Sequence, residues 1–228
     1  MIELFYTLLY NEWCYIKKEL IRFMIKKRML FYVTGLLILA FGISLTIKAD
    51  IGAGAWDALN VGLSKTIGLT VGVWVFIVGF IVLFVNAILL KRMPNFLSLI
   101  TIFIIGIFID FWLIIALGHW DPEGYVLKFA VLIVGLFIAS VGIAIYLQAE
   151  FPLSPLDHLM IAISTRFNVR VGIAKTIGEL TGLMMAFLFS GPIGIGTILV
   201  TVLIGPFIQF FFPIFERLMK NEKAASRE

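Results

Sequence analysis

Two stretches of the chain combine acidic residues with small or helix-breaking ones, and they recur 100 residues apart. Residues 49–57 run from an Ala-Asp pair to Asp57, and residues 149–157 run from an Ala-Glu pair to Asp157. Each follows a long apolar run. An aspartate at such a place predicts a helix N-cap, because its side-chain oxygen accepts from unpaired N–H groups of the first turn. We expect Asp57 and Asp157 to cap two short helices, and a role in binding stays open beside that structural one.

Two further acids, Asp110 and Glu179, lie inside apolar runs. A carboxylate in hydrocarbon is costly unless it is paired, protonated or hydrated, so such an acid is a functional hypothesis by default. Glu179 follows Lys175 by four residues, which places both on one helix face. We predict that Glu179 or Asp110 binds a proton, a coupling ion or a cationic solute. Alternatively, Glu179 only neutralises Lys175, and Asp110 only reaches the membrane interface.

Other candidates have weaker signals. Asp50 and Glu150 either line a vestibule or mark where apolar runs meet interfacial water, and the second interpretation is favoured. Four glycines are predicted to act in hinges or packing, and they are Gly52, Gly54, Gly194 and Gly196. No Lys-Ser or Lys-Thr pair follows the glycine-rich loop at 191–196, so a phosphate-binding P-loop is not predicted.

The sequence contains no clear metal-binding or catalytic motif. Cys14 is the only cysteine, and His119 and His158 are far apart without metal-ligand spacing. No catalytic triad, zinc-protease motif or glycosidase-like carboxylate pair can be defended. We therefore predict no metal, no cofactor and no enzymatic activity. The basic residues form short clusters instead of a basic face on a folded domain, so no nucleic-acid partner is predicted.

The composition indicates an integral membrane protein. Hydrophobic residues make up 61% of the 228 residues and charged residues 14%, with a mean hydropathy of +1.08. Soluble domains are about 45–50% apolar and about 25% charged. Six runs are long enough to cross a bilayer, at roughly 30–48, 70–90, 96–117, 126–147, 171–190 and 195–215. The fold class is thus an all-α polytopic membrane protein with six transmembrane helices.

Two segments between these runs, 49–69 and 148–170, are too long for tight turns and too apolar for solvated loops. Short helices that lie at the interface or re-enter the membrane fit both. Non-helical backbone at membrane depth survives only where protein or a water-filled cavity satisfies its polar groups. Helix N-termini carry partial positive charge, which suits an anionic group or a polar solute. The two segments therefore predict a binding cavity.

The chain contains an internal repeat. A shift of 100 residues brings Gly35 and Gly42 onto Gly135 and Gly142, and Asp57 onto Asp157. Each copy holds three membrane spans, an odd number, so the second copy is expected to be inverted in the membrane, as in many transporters. We divide the chain into an N-terminal segment (1–28), a first repeat (29–120), a second repeat (121–216) and a tail (217–228).

Lysine and arginine set the expected orientation. They cluster near the N-terminus, at Lys91 and Arg92, around Arg166, and in the tail, which predicts cytoplasmic N- and C-termini. Residues 1–28 are either an amphipathic helix on the cytoplasmic membrane surface or a loosely ordered basic tail. The apolar side of that helix would carry Phe5, Tyr6, Leu9, Trp13 and Ile16.

The repeated frame also resembles a known family. A glycine seven residues before an Ala-acid pair, then Asp and Leu, is read from Gly42 and from Gly142, and a glycine-rich motif follows at 191–197. This pattern resembles the YczE/YyaS/YitT group of bacterial membrane proteins, nearest to its YczE branch, over about residues 30–212. The resemblance implies a multi-pass protein of the bacterial plasma membrane, and it implies no substrate and no site residues. Gly52 and Gly54 stand where the second copy has Pro152 and Ser154, so we expect two chemically unequal half-sites.

Two classes of function follow. The leading prediction is a secondary transporter or channel-like permease for a small polar solute, with the site at the interface of the two inverted repeats. The alternative is a non-transporting membrane scaffold or accessory protein that recruits a partner. The expected partners are the lipid bilayer, a small-molecule substrate and a coupling ion, and a homo-oligomer stays open.

Overall fold

The protein is all-helical in the part of the chain that the structure, a computed structural model, describes. That part comprises the backbone of residues 2–225 and the side chains of residues 25–218. Its helices are α1 (Ile2–Lys48), α2 (Ala55–Ile67), α3 (Val71–Leu90), α4 (Leu97–Asp110), α5 (Tyr125–Gln148), α6 (Pro155–Phe167), α7 (Val171–Leu188) and α8 (Ile195–Ala225). A π-helical turn at Phe111–Ala116 continues α4. No strand occurs within residues 2–225.

Six of these helices are long and apolar enough to cross a membrane, which confirms the predicted number of spans. The spans are Ile25–Lys48, Val71–Leu90, Leu97–Ala116, Tyr125–Gln148, Val171–Leu188 and Ile195–Leu218. The backbone of α1 is continuous from Ile2 into the first span. The apolar face predicted for residues 1–28 carries side chains that lie outside the described ones, so that face stays a prediction.

The first and fourth spans, α1 and α5, pack closely and run antiparallel. An added Cβ atom at Gly35 would lie 2.6 Å from the Tyr146 nitrogen, and one at Gly42 would lie 2.6 Å from the Gly135 oxygen. Rising residue numbers on α1 therefore meet falling numbers on α5. The glycines at seven-residue spacing serve this close approach, and Leu36 beside them is fully buried.

The two short helices occupy the segments in which they were predicted. The bounds of α2 and α6 differ by 100 residues at both ends. Both end in the same way, since Ser64 Oγ donates to the Leu69 carbonyl at 2.8 Å and Ser164 Oγ donates to the Val169 carbonyl at 2.7 Å. The short helices are thus two copies of one local structure, and each packs against both α3 and α7.

The prediction that Asp57 and Asp157 are N-caps is wrong. The N-cap of α2 is Gly54, and the N-cap of α6 is Ser154, so each aspartate is the third residue of its helix. Pro155 occupies the first helical position, where its missing N–H costs nothing, and this places the cap at Ser154. Ser154 Oγ accepts from the Asp157 N–H at 3.2 Å and donates to the Asp157 carboxylate at 2.8 Å.

Ion pairs mark the two ends of the helical bundle. At one end, which we call the basic face, Arg28 pairs with Glu150 at 2.8 Å. The Tyr32 hydroxyl, near Arg28 on α1, is hydrogen-bonded to the Thr101 hydroxyl in the first turns of α4. Lys91 precedes the start of α4 by six residues, so it lies at the same end of the bundle. At the other end, the opposite face, Lys128 pairs with Asp50 at 3.1 Å and Lys48 pairs with Asp121 at 2.9 Å.

Candidate functional site

A small cavity of about 80 Å³ lies where α2, α6 and α7 meet. Its polar lining consists of Asp157 from α6 with Lys175 and Glu179 from α7, and Trp56 of α2 closes one side. Leu156, Leu159 and Met160 supply apolar walls. Because Glu179 is near the middle of α7, which spans Val171–Leu188, the cavity sits midway along a membrane-crossing helix.

Asp57 adds a third acid to this cluster. It lies in the first turn of α2, one residue after Trp56, and interacts electrostatically with Glu179. Burial raises the pKa of the Asp57 carboxyl to about 7, and the negative charge of Glu179 adds to the rise. Three acids predicted from the sequence, Asp57, Asp157 and Glu179, therefore come together from three different helices.

Lys175 balances part of this negative charge. Its ammonium attracts the Glu179 carboxylate from one helical turn away, as the four-residue spacing predicts. The two side chains line the same cavity. Lys175 also reaches toward α8, because its Nζ would lie 3.9 Å from a Cβ atom added at Gly205. With all four groups ionised, three carboxylates face one ammonium.

Tyr146 is a site residue that the sequence analysis missed. Its hydroxyl donates a hydrogen bond to the Asp157 carboxylate, across the connection from α5 to α6. Asp157 thus accepts from two hydroxyls, those of Tyr146 and Ser154. The only sequence signal was indirect: Gly35 on α1 makes room for Tyr146, but an apolar run gives no reason to single out one tyrosine.

Buried polar side chains hold the segment that leads into α6. Thr101 Oγ1 donates to the Pro152 carbonyl at 2.7 Å, and Asn86 Nδ2 donates to the Pro155 carbonyl at 2.8 Å. Both side chains are almost fully buried. These bonds tie the non-helical backbone at 150–154 and the start of α6 to α3 and α4, which satisfies carbonyls that lipid could not.

Asp110 is not part of the cavity. Its carboxylate accepts from Thr70 Oγ1 at 2.5 Å and from the Gly72 N–H at 2.7 Å. It therefore caps the start of α3 from the end of α4. Close by, an added Cβ atom at Gly106 would lie 2.5 Å from the Gly72 oxygen, so the two helices touch through their backbones.

The remaining candidates lie toward the two ends of the bundle. Asp50 and Glu150 are exposed, adopt left-handed backbone conformations with φ of 50° and 56°, and form the ion pairs already described. Asp50 also lines a wide, mainly apolar groove with Gly52 and Gly194 at the opposite face. The structure brings neither acid to the cavity.

The four glycines have packing contacts. An added Cβ atom at Gly194 would lie 2.5 Å from the Ile51 oxygen, and one at Gly52 would lie 2.7 Å from the Gly194 nitrogen. The Gly196 N–H donates to the Ile51 carbonyl at 2.8 Å. Gly54 instead leaves space for the Asp57 carboxylate, which would lie 2.9 Å from an added Cβ atom. A hinge role for these four glycines stays a prediction.

Comparison with known protein families identifies the family of this chain. The family model described as a family of unknown function (DUF6198) matches residues 26–213, which include every residue of the cavity. The chain belongs to this family. No solved structure matches it.

Two proteins of Bacillus subtilis (strain 168) are similar to it. The uncharacterized protein YyaS is 42% identical over 196 residues, which cover 85% of this chain and 98% of YyaS. The uncharacterized membrane protein YczE is 35% identical over 187 residues, which cover 82% of this chain and 86% of YczE.

An uncharacterized protein of Haemophilus influenzae is 26% identical over 181 residues, which cover 79% of this chain and 81% of that protein. The predicted resemblance to the YczE and YyaS group is confirmed. The sequence analysis put the resemblance nearest to the YczE branch, whereas the identity with YyaS is the higher of the two.

Proposed function

We propose that this membrane protein is a secondary transporter or channel-like permease for a small polar solute. The solute site is the cavity lined by Asp157 and Glu179, with Asp57 close to Glu179. The observation that carries the proposal is the meeting of three acids, from three helices, halfway along α7. Placing acids there is expensive in a bilayer, and a purely structural bundle gains nothing from it.

The duplication of the short helices, which we propose to be inverted in the membrane, supports this proposal. The short helices α2 and α6 repeat with an offset of 100 residues and share their C-terminal hydrogen bond. Their equivalent flanking acids, Asp50 and Glu150, pair with cations at opposite ends of the bundle. Sites between inverted repeats with interrupted helices are typical of secondary transporters.

The charges favour a cationic solute or a proton over an anion. Helix N-termini attract anions, but the first turns of α2 and α6 already carry Asp57 and Asp157. Asp157 and Glu179 in the lining, together with the nearby Asp57, outnumber Lys175, and Trp56 adds an aromatic ring, which attracts cations. A small amine or a proton therefore fits the cavity, with Glu179 as the coupling acid.

Unequal packing in the two repeats supports alternating access. In the first repeat, α3 and α4 are joined at the opposite face by Gly72, Gly106 and the capping bonds of Asp110. In the second repeat, a Cβ atom added at Gly172 would meet nothing within 4 Å. In this proposal the site is closed toward the opposite face and open toward the basic face. If the second repeat became tightly packed and the first repeat loosened, the site would open toward the opposite face instead.

Orientation completes the proposal. The basic face carries Arg28, Lys91, Arg92 and Arg166, and cytoplasmic ends of membrane proteins are rich in lysine and arginine. We therefore assign the basic face, with both termini, to the cytoplasm of a bacterial cell and the opposite face to the outside.

One observation favours the alternative, a membrane scaffold. The backbone of α1 begins at Ile2, and six basic residues between Lys17 and Arg28 disfavour burial of this part of the helix in lipid, so it is available to a partner at the membrane surface. A scaffold predicts that loss of residues 2–24 abolishes function and that Glu179→Gln does not. A transporter predicts the reverse.

Flux into proteoliposomes tests the proposal. Vesicles with an internal pH dye would receive a membrane potential and, in turn, methylammonium, ethanolamine or choline. We expect proton or amine flux with the wild type and a loss of at least about tenfold for Glu179→Gln, as expected when a coupling acid is neutralised. Glu123→Gln is the matched control, because Glu123 is exposed and outside the cavity. Equal flux in wild type and Glu179→Gln would contradict the site.

A further inference from the structure

A second cavity, distinct from the acidic one, opens at the basic face between the end of α3 and the surface of α6. Its volume is about 370 Å³. We call it the basic groove, and its polar or exposed lining comprises Lys91, Arg92, His158, Ile161, Thr165 and Arg166. Leu89 and Leu90 complete one wall. The groove thus joins three permanent cations to an apolar surface.

The three cations of the groove have no acidic partner among the described residues. Arg28, Lys48 and Lys128 each pair with a carboxylate, whereas Lys91, Arg92 and Arg166 are exposed and form no such pair in residues 25–218. Unneutralised cations that converge on one concavity create a local positive potential. Such a potential attracts an anion.

Local backbone structure explains why these residues converge. Lys91 ends α3 in a left-handed conformation with φ of 51°, which turns the chain so that Arg92 lies beside α6. On α6, His158, Ile161 and Thr165 are spaced by three and four residues, so they share one helix face. The hydrogen bond from Asn86 to the Pro155 carbonyl fixes α6 against α3. The groove is therefore a fixed feature of the fold.

We propose that the basic groove binds the phosphate of an anionic phospholipid headgroup. Arg92 and Arg166 provide planar guanidinium donors for phosphate oxygens, Lys91 a point charge, and Thr165 a hydroxyl donor. Basic pockets between helices at the cytoplasmic end of membrane proteins are suited to such headgroups.

The apolar wall favours a lipid over free phosphate. Ile161 is 38% exposed within the groove, and Ile88, near the end of α3 beside the groove residue Leu89, is 75% exposed. An acyl chain can cover these side chains while its headgroup meets the cations. A free phosphate uses the cations only and leaves the apolar wall exposed. This inference stands on its own geometry and does not rest on the proposed transport function.

Lipid-dependent thermal stability of the purified full-length protein tests the inference. Delipidated protein in neutral detergent would receive phosphatidylglycerol, phosphatidylcholine or inorganic phosphate, with bound lipid counted by native mass spectrometry. We expect phosphatidylglycerol to raise the melting temperature and the others to leave it unchanged. Arg166→Gln should weaken phosphatidylglycerol binding about tenfold, the effect of losing one charged bidentate contact. We expect phosphatidylglycerol binding to be lost in the triple variant Lys91→Gln, Arg92→Gln, Arg166→Gln.

Matched controls keep this test decisive. Lys65→Gln removes an exposed cation from α2, near the opposite face, and should bind phosphatidylglycerol like the wild type. Arg166→Lys preserves the charge and should restore part of the binding, which shows that the variant protein is folded. Equal binding by the triple variant and the wild type would overturn the inference. Stabilisation by inorganic phosphate, with none by phosphatidylglycerol, would overturn the assignment to a lipid.

Discussion

Tyr146 donates its hydroxyl hydrogen bond to the Asp157 carboxylate, and this contact ties the end of α5 to the first turn of α6. The same carboxylate receives the Ser154 hydroxyl at 2.8 Å. Two donors hold Asp157 in place at the edge of the acidic cavity. The bond therefore links the membrane span α5 to the short helix α6 and to the candidate site.

Tyr146→Phe should separate this positioning role from packing. The variant keeps the ring but removes a hydrogen bond to a charged group, which costs about 2 kcal/mol. We expect a lower melting temperature in detergent and solute flux reduced several-fold, because Asp157 is no longer fixed. Tyr125→Phe is the control, since Tyr125 is 86% exposed. Unchanged flux in Tyr146→Phe would remove Tyr146 from the site.

Asp57 should make the stability of the protein depend on pH. Its folded pKa of about 7 lies above the ordinary value of 3.8, so the folded state holds a proton that the unfolded state releases. Stability should therefore be greatest at low pH and fall as pH rises from about 4 to about 7. Above pH 7 the loss is complete.

Asp57→Asn cannot ionise, so it should not show this loss. In melting curves at pH 5 and pH 8, we expect the difference between the two pH values to shrink in Asp57→Asn. The variant should exceed the wild type in melting temperature at pH 8. Asp121→Asn, at an exposed aspartate of the opposite face, should keep the wild-type pH dependence. A wild type that is equally stable at both pH values would refute the assignment.

Equivalent glycines of the two repeats should respond oppositely to substitution. Gly72→Ala places a methyl group against the Gly106 backbone, and overpacking of this kind costs about 2 kcal/mol. Gly172→Ala meets no atom within 4 Å and gains up to about 1 kcal/mol from better helix propensity. Melting temperatures of the two variants measure the difference. Equal destabilisation would mean that the two repeats are packed alike.

If the two repeats are inverted, as proposed, Lys65 and Thr165 lie on opposite sides of the membrane. These exposed positions are equivalent, 100 residues apart, on α2 and α6. In a Cys14→Ser background, Lys65→Cys should react with a membrane-impermeant thiol reagent only from outside the cell, and Thr165→Cys only from inside. Reaction of both from the same side would show that the repeats are parallel.

Hydropathy and repetition were sufficient to predict six spans and two short helices. Spans need long apolar runs in any bilayer, and the offset of 100 residues between Asp57 and Asp157 already implied two copies of one structure. Asp57, Asp157 and Glu179 were each singled out as candidates, but their meeting around one cavity was not predicted from the sequence.

Other features depend on contacts that the sequence does not display. The N-cap assignment failed because Asp57 and Asp157 each follow a better starting point for the helix, Gly54 and Ser154. The position of Asp110 outside the cavity could not be predicted because its partners, Thr70 and Gly72, lie about 40 residues earlier. Tyr146 was missed because a tyrosine in an apolar span carries no signal of the carboxylate that it contacts.

Accessibility of the acidic cavity from each side of the membrane decides whether this protein can be a transporter. Met160→Cys places a thiol on the cavity wall in the Cys14→Ser background, and Lys65→Cys and Thr165→Cys report the two membrane faces. In oriented vesicles, an alternating-access transporter predicts that small impermeant reagents label Met160→Cys from both sides, and faster from the basic face. A thiol that no reagent reaches from either side would show a sealed cavity and contradict the transporter.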